Sequence, residues 1–194
     1  MGRFTVISED AFNELQVDTG VLLNSFDPAN PVAPDDEDII TATTGGITVS
    51  CVPTYSDYFA DVDNAPNNTV EGKHLDGWDC RISTTALSVT EDSIKLALGA
   101  ATASSGQITP KASVASTDFA DLWWVGDLAD GGMVAVKILN ALSTGGFSLK
   151  TTKNGKGQLS LELTGHVSIS AQTTMPMVFY VAEGTTSGTT SGTT

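Results

Sequence analysis

Two consecutive segments of this sequence, residues 119–126 and 133–142, are apolar at most positions. They are joined by residues 127–132, which include two Asp and two Gly. A strand with one face in water alternates apolar and polar side chains, whereas a strand that is apolar on both faces has water on neither. The two segments are therefore predicted to be strands of a sheet covered on both sides. One face meets the core, and the other meets a second sheet, a helix or a neighbouring subunit.

The composition favours β structure over other fold classes. Thr, Val and Gly are abundant, whereas Lys and Arg together number only 9 among 194 residues, too few for a helical bundle. The plentiful aliphatic residues exclude a disordered chain, and the length suffices for one self-sufficient core. We predict a mainly β domain, sandwich-like or barrel-like, over residues 1–182. Residues 183–194, rich in Thr, Ser and Gly, are predicted to form a flexible tail.

The chain is strongly acidic, with 23 Asp and Glu and a formal net charge of −14 at pH 7. A protein that reads nucleic-acid sequence needs a basic patch, which this composition does not provide. The charge is also uneven, because residues 1–130 hold 21 acids and 5 bases whereas residues 131–194 hold 2 acids and 4 bases. Such asymmetry suits self-association between unlike surfaces, although an unevenly charged solvated face is its commoner cause.

Several shorter elements can be placed from turn and strand signals. A helical turn is expected after Ser8, and residues 55–77, which are rich in Asp and Asn, are predicted to be irregular. Gly45 and Gly46 are expected to form a turn that divides one strand segment in two. The further strands are predicted over residues 3–7, 21–23, 39–54 and 78–89.

One short helix is predicted over residues 90–99. Thr90 is a suitable N-cap, two acids follow it in the first turn, and Gly99 ends the segment. The helix is too short to be stable alone, so it must dock on the sheet. Ile94 and Leu98 are four residues apart and are expected to face that sheet.

A hairpin is predicted around residues 147–161, and the pairing of side chains sets its register. A three-residue loop at 153–155 places Leu149 opposite Leu159, whereas a two-residue turn would mix apolar and polar side chains on one face. Gly155 then takes the left-handed position that such a loop needs. The hairpin end carries three lysines, here named the lysine tip: Lys150, Lys153 and Lys156.

The candidate functional residues are predicted contacts between subunits. Residues 27–38, here named the acidic loop, hold three prolines and five acids and are predicted to be a long exposed loop. Two adjacent tryptophans point to opposite faces of their strand, and we interpret them as core or interface packing instead of a carbohydrate platform. The candidate inter-subunit contacts are Asp35, Asp36, Glu37, Asp38, Trp123, Trp124, Lys150, Lys153 and Lys156.

No group of residues has the spacing of a catalytic or metal site, so we predict no enzymatic activity, cofactor or metal. His74 and Asp76 have no nucleophile in a suitable context, and the two Cys and two His lack metal-ligand spacing. Cys51 and Cys80 lie in phase with apolar neighbours, and we interpret both as small buried thiols, with a disulfide as the alternative. His166 is interpreted as a structural histidine. No targeting or membrane-spanning segment is recognised.

Four long stretches of the sequence, taken in their order, are characteristic of one protein family. They are FNELQVDTGVLLNSFDPANP (12–31), PTYSDYFADVDNAPNNTVEGKHLDGWDC (53–80), STTALSVTEDSIKLALGAA (83–101) and DLWWVGDLADGGMVAVKILNALSTGGFSLKTTKNGKGQLSLELTGHVSI (121–169). In these stretches, and so over most of its length, the chain resembles the major tail tube protein of long-tailed, non-contractile bacteriophages of Gram-positive hosts. The resemblance lies in the overall sequence of these stretches and in their order, and it identifies no active residue.

The resemblance implies a β-sandwich-like domain with a flanking helix. It further implies hexameric rings that stack into a hollow tube, with inner strands of all subunits joined into one continuous β-barrel around the lumen. Genome DNA would pass down this lumen, and the protein would occupy the virion tail after a period in the host cytoplasm. The implied partners are copies of the chain itself and the tail tip, tape-measure and terminator proteins.

Elementary electrostatics agrees with a conduit. An acidic lumen repels phosphate and lets DNA slide, whereas Lys and Arg contacts would hold it. Stacked rings meet through unlike surfaces, for which the acidic loop and the lysine tip are the expected complementary elements. The alternative function is a monomeric β-sandwich adhesin, binding a carbohydrate or receptor through an exposed loop and Trp.

Overall fold

The computed structural model describes residues 7–184 and contains ten strands and one α-helix within that range. The strands are β1 (Gln16–Leu23), β2 (Thr43–Asp57), β3 (Lys73–Ala86), β4 (Ala101–Ser104), β5 (Gln107–Pro110), β6 (Ala120–Leu128), β7 (Met133–Ser143), β8 (Ser148–Lys150), β9 (Gln158–Thr164) and β10 (Met177–Ala182). The helix α1 spans Glu91–Leu98, and short 3-10 helices span Glu9–Phe12, Ser116–Asp118 and Ile169–Ala171. The mainly β fold with one flanking helix is confirmed.

Eight of the ten strands form two antiparallel sheets that share β7, and β4 pairs with β5 in a separate two-stranded sheet. The first sheet has the order β1-β6-β7-β10. In the second sheet, β2 pairs with β3 and β3 with β9, while the other edge of β9 pairs with β8 and the end of β7. β7 bends at Asn140, which has a positive φ of 46°. The backbone N–H of Asn140 donates to Asp121, and its side-chain amide donates to the carbonyl of His166.

The main core lies between the two sheets. It receives Leu22 from β1, Ile82 from β3, Ile138 from β7 and Leu163 from β9, all with 0% exposure. Burying one such aliphatic side chain stabilises the fold by about 1.5–3 kcal/mol relative to leaving it in water. Side chains from both sheets interdigitate here, which makes the arrangement a sandwich.

The prediction that β6 and β7 are buried on both faces is confirmed. Their second face carries Trp123 and Ala135, which are buried in a separate cluster. This face is covered by Phe26 and Ile39, which belong to the segment that follows β1. The covering layer is therefore a loop of the same chain, an option that the sequence pattern did not single out.

Helix α1 begins and ends as expected but presents a different face. Thr90 accepts a hydrogen bond from the Ser93 N–H, the Ser93 hydroxyl accepts one from the Thr90 N–H, and Gly99 is the C-cap. The buried residues are Ser93 and Ala97, with Leu96 packed beside them, so the expectation that Ile94 and Leu98 face the sheet was wrong. Small side chains let the short helix approach β9 closely.

The β8–β9 register is confirmed, whereas the loop details were wrong. Leu149 pairs with Leu159 as expected. The connection is longer than three residues, because the strands stop at Lys150 and resume at Gln158. The left-handed residue is Asn154, with a φ of 62°, and not Gly155. Asn tolerates this conformation because its short polar side chain bonds locally.

The second sheet contains a longer hairpin than the sequence indicated. β2 is one continuous strand with an irregularity at Gly45 and Gly46, both of positive φ, so the expected turn there was wrong. β2 and β3 extend into residues 55–57 and 73–77, which were predicted to be irregular. The irregular connection is confined to residues 58–72.

Cys51 and Cys80 face each other across this hairpin. They are paired in register, and their sulfurs are joined in a disulfide. The preference for two separate thiols was wrong and the alternative holds, because direct cross-strand neighbours bring their Cβ atoms within disulfide reach.

Three further expectations concern the chain ends and the membrane. The helical turn after Ser8 is confirmed as the first 3-10 helix, and the acidic loop is confirmed as an irregular connection. The expected strand over residues 3–7 lies outside the described residues except for Ile7, which belongs to no strand, and the tail lies outside them from residue 185 onward. Within residues 7–184, no helix has the length and apolar character of a membrane span.

Candidate functional site

Residues 52–79, here named the arm, project beyond the rest of the second sheet. Among residues 7–184, β3 pairs with β9 only from Arg81 to Ala86, so the first half of β3 has β2 as its only strand partner there. The arm consists of the outer halves of β2 and β3 and the connection over residues 58–72. A hairpin without a covering layer exposes both faces to water.

The arm exposes an unusual amount of apolar surface. Its exposed large side chains are Val52 (56%), Tyr55 (58%), Tyr58 (61%), Phe59 (40%), Val62 (51%), Val70 (86%), Leu75 (42%) and Trp78 (36%). Single exposed apolar residues are ordinary, but a contiguous set marks an interaction surface. Sequence reasoning missed this surface because it assigned most of the segment to an irregular connection.

The arm is also acidic. It contains six acids and one lysine, a net charge of −5. Asp57 organises the start of the connection, accepting hydrogen bonds from the backbone N–H groups of Phe59 and Asn68 at 3.1 and 3.3 Å. Asp61, Asp63 and Glu71 are exposed. The acidic and apolar side chains are therefore interleaved on one projection.

Arg81 anchors the root of the arm. Its guanidinium donates two hydrogen bonds of 2.8 Å to Asp79 on the same strand and one of 2.7 Å to Glu162 on β9. The hydrogen bond from Arg81 lowers the pKa of the Asp79 carboxyl, and these acids raise the pKa of Arg81. The three side chains are more than a third exposed, so solvent screens the pairs and they orient the strands more than they stabilise them.

The lysine tip lies at the opposite end of the second sheet. Ala86, Leu159 and Leu149 pair in one row next to the tip, whereas the arm begins beyond Arg81 at the other end of β3. The 14 residues of β3 span about 45 Å at the usual rise per residue. The sheet therefore separates the two features by roughly its full length.

The lysine tip is solvent-exposed and basic. Lys150, Lys153 and Lys156 are exposed, and none forms an ion pair with a residue between 7 and 184. Beside them, Phe147 and Leu149 keep 42% and 39% of their surface exposed. The tip therefore also combines charge with exposed apolar surface.

The acidic loop lies at the same end as the lysine tip. Asp35, Asp36 and Glu37 are exposed, whereas Asp38 is half-buried and its carbonyl accepts a 2.9 Å hydrogen bond from the Asn24 N–H. Asp36 and Glu37 line a groove of about 870 Å³ beside the tip end of the second sheet and α1. The structure thus places this loop at the end of the second sheet that also carries the lysine tip of the same chain.

The two tryptophans have different roles within the chain. Trp123 is only 7% exposed and packs against Phe26 and Tyr180 at centroid distances of 5.7 and 5.5 Å. It lies in the interior, so it presents no surface to a second copy in this conformation. Trp124 is half-buried, and its indole N–H donates to the Thr19 carbonyl at 3.1 Å. Of the two, only Trp124 retains surface for a neighbour.

β10 offers a second surface. It borders β7 on one side and has no strand partner on the other among the residues from 7 to 184. Its outward side chains Phe179 and Val181 are 56% and 68% exposed. At its end, the Asp130 carboxylate accepts hydrogen bonds from the N–H groups of Gly132 and Gly184, both 2.8 Å, which lower its pKa. Sequence reasoning did not identify this surface, although the continuous apolar run over 177–182 was a signal for a strand there.

The residues considered for chemistry in the sequence have the following surroundings in the structure. Among them, no group of three or more His, Cys, Asp or Glu side chains is placed to hold a metal ion. His74 stacks on Tyr58 at 5.0 Å, while Asp76 accepts a 2.6 Å hydrogen bond from the Ser56 hydroxyl. His166 contacts the Asn140 carbonyl through Nδ1 at 3.1 Å and meets Phe119 edge to face. Both histidines therefore have contacts that account for their positions.

Comparisons with known proteins find seven similar chains among solved structures. No family model matches the sequence, and a search of curated proteins finds no match. Among solved structures, the chain is similar to a chain of the virion of a native gene transfer agent particle, at 10% identity and a TM-score of 0.41. The likeness covers 77% of this chain and 92% of that one. At this identity and TM-score it assigns no role to any residue.

Proposed function

We propose that this chain is a structural protein of a phage-type virion that polymerises, as stacked hexameric rings, into a tail tube. The tube conducts genome DNA into the host, and the protein has no enzymatic role. Its place is the virion tail after a period in the host cytoplasm, with the tail tip, tape-measure and terminator proteins as further partners.

The observation that carries this proposal is the large surface of the single chain. The accessible surface is 13086 Å², against about 8,700 Å² for a compact monomer of this mass. Subtracting the most that the sixteen residues outside 7–184 can expose, about 150 Å² each, leaves an excess of about 2,000 Å². A specific interface buries about 800 Å² per partner, so the excess matches more than one interface.

The free strand edges support assembly into rings. β2 lies at one end of the sheet order and β10 borders only β7, so each leaves one edge unpaired among residues 7–184. An unpaired edge is a template for pairing with another chain, and monomeric proteins usually protect it. Pairing of such edges between neighbouring copies is the contact that a continuous inner barrel requires.

The charge supports a passage for DNA in place of a binding site. The net charge of −14 leaves no basic face on a domain scale, and the lysine tip is one small basic element at one end. Phosphate is repelled by such a surface over about one Debye length, roughly 8 Å at physiological salt.

Negative-stain electron microscopy of the purified chain tests the proposal. Rings or tubes of uniform diameter are the expected result, and duplex DNA in a gel-shift assay should migrate unchanged at physiological salt. A monomer whose mass in light scattering does not depend on concentration up to the millimolar range would refute the assembly.

The second candidate function is a monomeric adhesin, and the arm is the observation that favours it. The stacked Tyr58 and His74 rings, together with Tyr55 and Trp78, offer flat exposed faces on which a sugar ring could pack. Quenching of Trp fluorescence by added glycans, combined with a stable monomer, is the outcome that this function requires.

A further inference from the structure

The two ends of the second sheet complement each other in both charge and apolar exposure. The arm carries a net charge of −5 and the tip segment 150–156 carries three lysines and no acid. The arm exposes Val62 and Val70, and the tip exposes Phe147 and Leu149. Interfaces join apolar centres within a rim of complementary charge, and each end supplies both components.

The complementary surfaces cannot meet within one chain. The arm and the tip lie toward opposite ends of β3, which spans about 45 Å, so only a second copy can bring them together. An interface that joins two different surfaces of identical copies is heterologous. Where its rotation does not close into a ring, it leaves a free surface at each end of the assembly and therefore propagates.

The acidic loop does not provide this complement in a head-to-tail stack. It lies at the same end as the lysine tip, beside Thr41, Ser88 and α1. Copies that stack in the same orientation bring the tip of one against the opposite end of the next, where the acids belong to the arm.

We propose that the arm of one copy seats on the lysine tip of the next copy along the stack. Asp61, Asp63 and Glu71 pair with Lys150, Lys153 and Lys156, while the apolar side chains of both ends form the centre of the contact. This inference rests on the proposed function for the existence of the stack, and it specifies which surfaces join successive layers.

Two charge-reversal variants and a matched control test the pairing. The tip variant is Lys150→Glu, Lys153→Glu and Lys156→Glu, and the arm variant is Asp61→Lys, Asp63→Lys and Glu71→Lys. No hydrogen bond or ion pair holds these six side chains among residues 7–184, so both variants should fold, which circular dichroism checks. The control reverses an equal number of exposed acids at the tip end: Asp35→Lys, Asp36→Lys and Glu37→Lys.

Sedimentation velocity and negative-stain microscopy provide the readout. Each variant alone should lose the tubes that the wild type forms, because like charges then meet at every junction. An equal mixture of the two variants should regain tubes, because every junction again joins opposite charges. The control variant should assemble like the wild type.

The outcomes separate this inference from the proposed function. Tubes of normal length from either variant alone would overturn the arm-to-tip contact but would not count against the tail tube function. Loss of tubes in the control variant, with tubes kept in the other two, would do the same. If the wild type forms no tubes, association of the two variants only when mixed would still support the contact and would count against the tube. A mixture that stays monomeric would overturn the contact.

Discussion

Replacing Trp123 with Ala separates core packing from subunit contact. Trp123 is 7% exposed, with Phe26 and Tyr180 against its ring and the Lys137 ammonium 5.5 Å from the ring centroid. Lys137 also forms a 2.8 Å ion pair with Asp121. If Trp123 acts within the chain, Trp123→Ala destabilises the monomer itself, independently of any assembly.

The size of the effect follows from burial. Truncating a buried Trp to Ala costs about 3–5 kcal/mol, since the lost transfer energy and the cavity add. The two lost aromatic contacts, each worth about 0.5–1.5 kcal/mol, account for part of that cost. In a domain of this size, 1 kcal/mol shifts Tm by about 2–4 °C, so Tm should fall by about 6–20 °C.

Urea and thermal unfolding of dilute monomer, followed by circular dichroism, measure this change. Trp78→Ala provides the matched control, because Trp78 lies on the arm with 36% of its surface exposed. Its substitution should lower the free energy of unfolding less than Trp123→Ala does. A monomer stability within about 1 kcal/mol of wild type for Trp123→Ala, below the range for a buried Trp, would refute the assignment to the core.

Three further variants probe the arm root, the helix and the end of β10. The disulfide between Cys51 and Cys80 joins residues 29 apart in sequence, and the chain-entropy model gives it about 3–4 kcal/mol of stabilisation. Reductant should therefore lower the unfolding midpoint of the wild type but not that of the Cys51→Ala, Cys80→Ala variant. A wild-type midpoint that is the same with and without reductant would contradict the disulfide. Thr90→Ala should cost about 1 kcal/mol in urea unfolding, with Thr90→Ser neutral as control; an equal loss in both would count against the N-cap. The pKa of Asp130 is lowered in the fold, so its contribution is present above about pH 4 and is lost as pH falls through the folded pKa. Asp130→Asn should therefore flatten the fall of stability between neutral and acid pH, and an unchanged profile would exclude the contribution.

The residues that were placed correctly from sequence share a local cause. Leu149 and Leu159 fixed the hairpin register because a slip by one residue would move apolar side chains to the wrong face. Thr90 and Gly99 marked the helix because capping depends on neighbouring residues alone. Both predictions required no knowledge of distant parts of the chain.

The errors concern features that depend on distant contacts. The buried face of α1 is set by its docking on β9, where Ala97 fits and Ile94 does not. The arm was assigned largely to an irregular connection because residues 55–77 are rich in Asp and Asn, which have low strand propensity. Only pairing with β2 makes residues 73–77 part of a strand. The sequence left the role of Trp123 open between core packing and a subunit interface, because the covering loop with Phe26 is nearly a hundred residues away in sequence.

The sharing of β7 by both sheets has a consequence for how the protein opens. Since β7 pairs with β6 and β10 in one sheet and, through Leu142 and Ser143, with β9 in the other, opening of either sheet disturbs a strand that the other sheet shares. Amide protons of both sheets should therefore exchange together, in one cooperative unit. The arm lies beyond this unit and can open by itself, which would let it adjust to a neighbour while the sandwich remains closed.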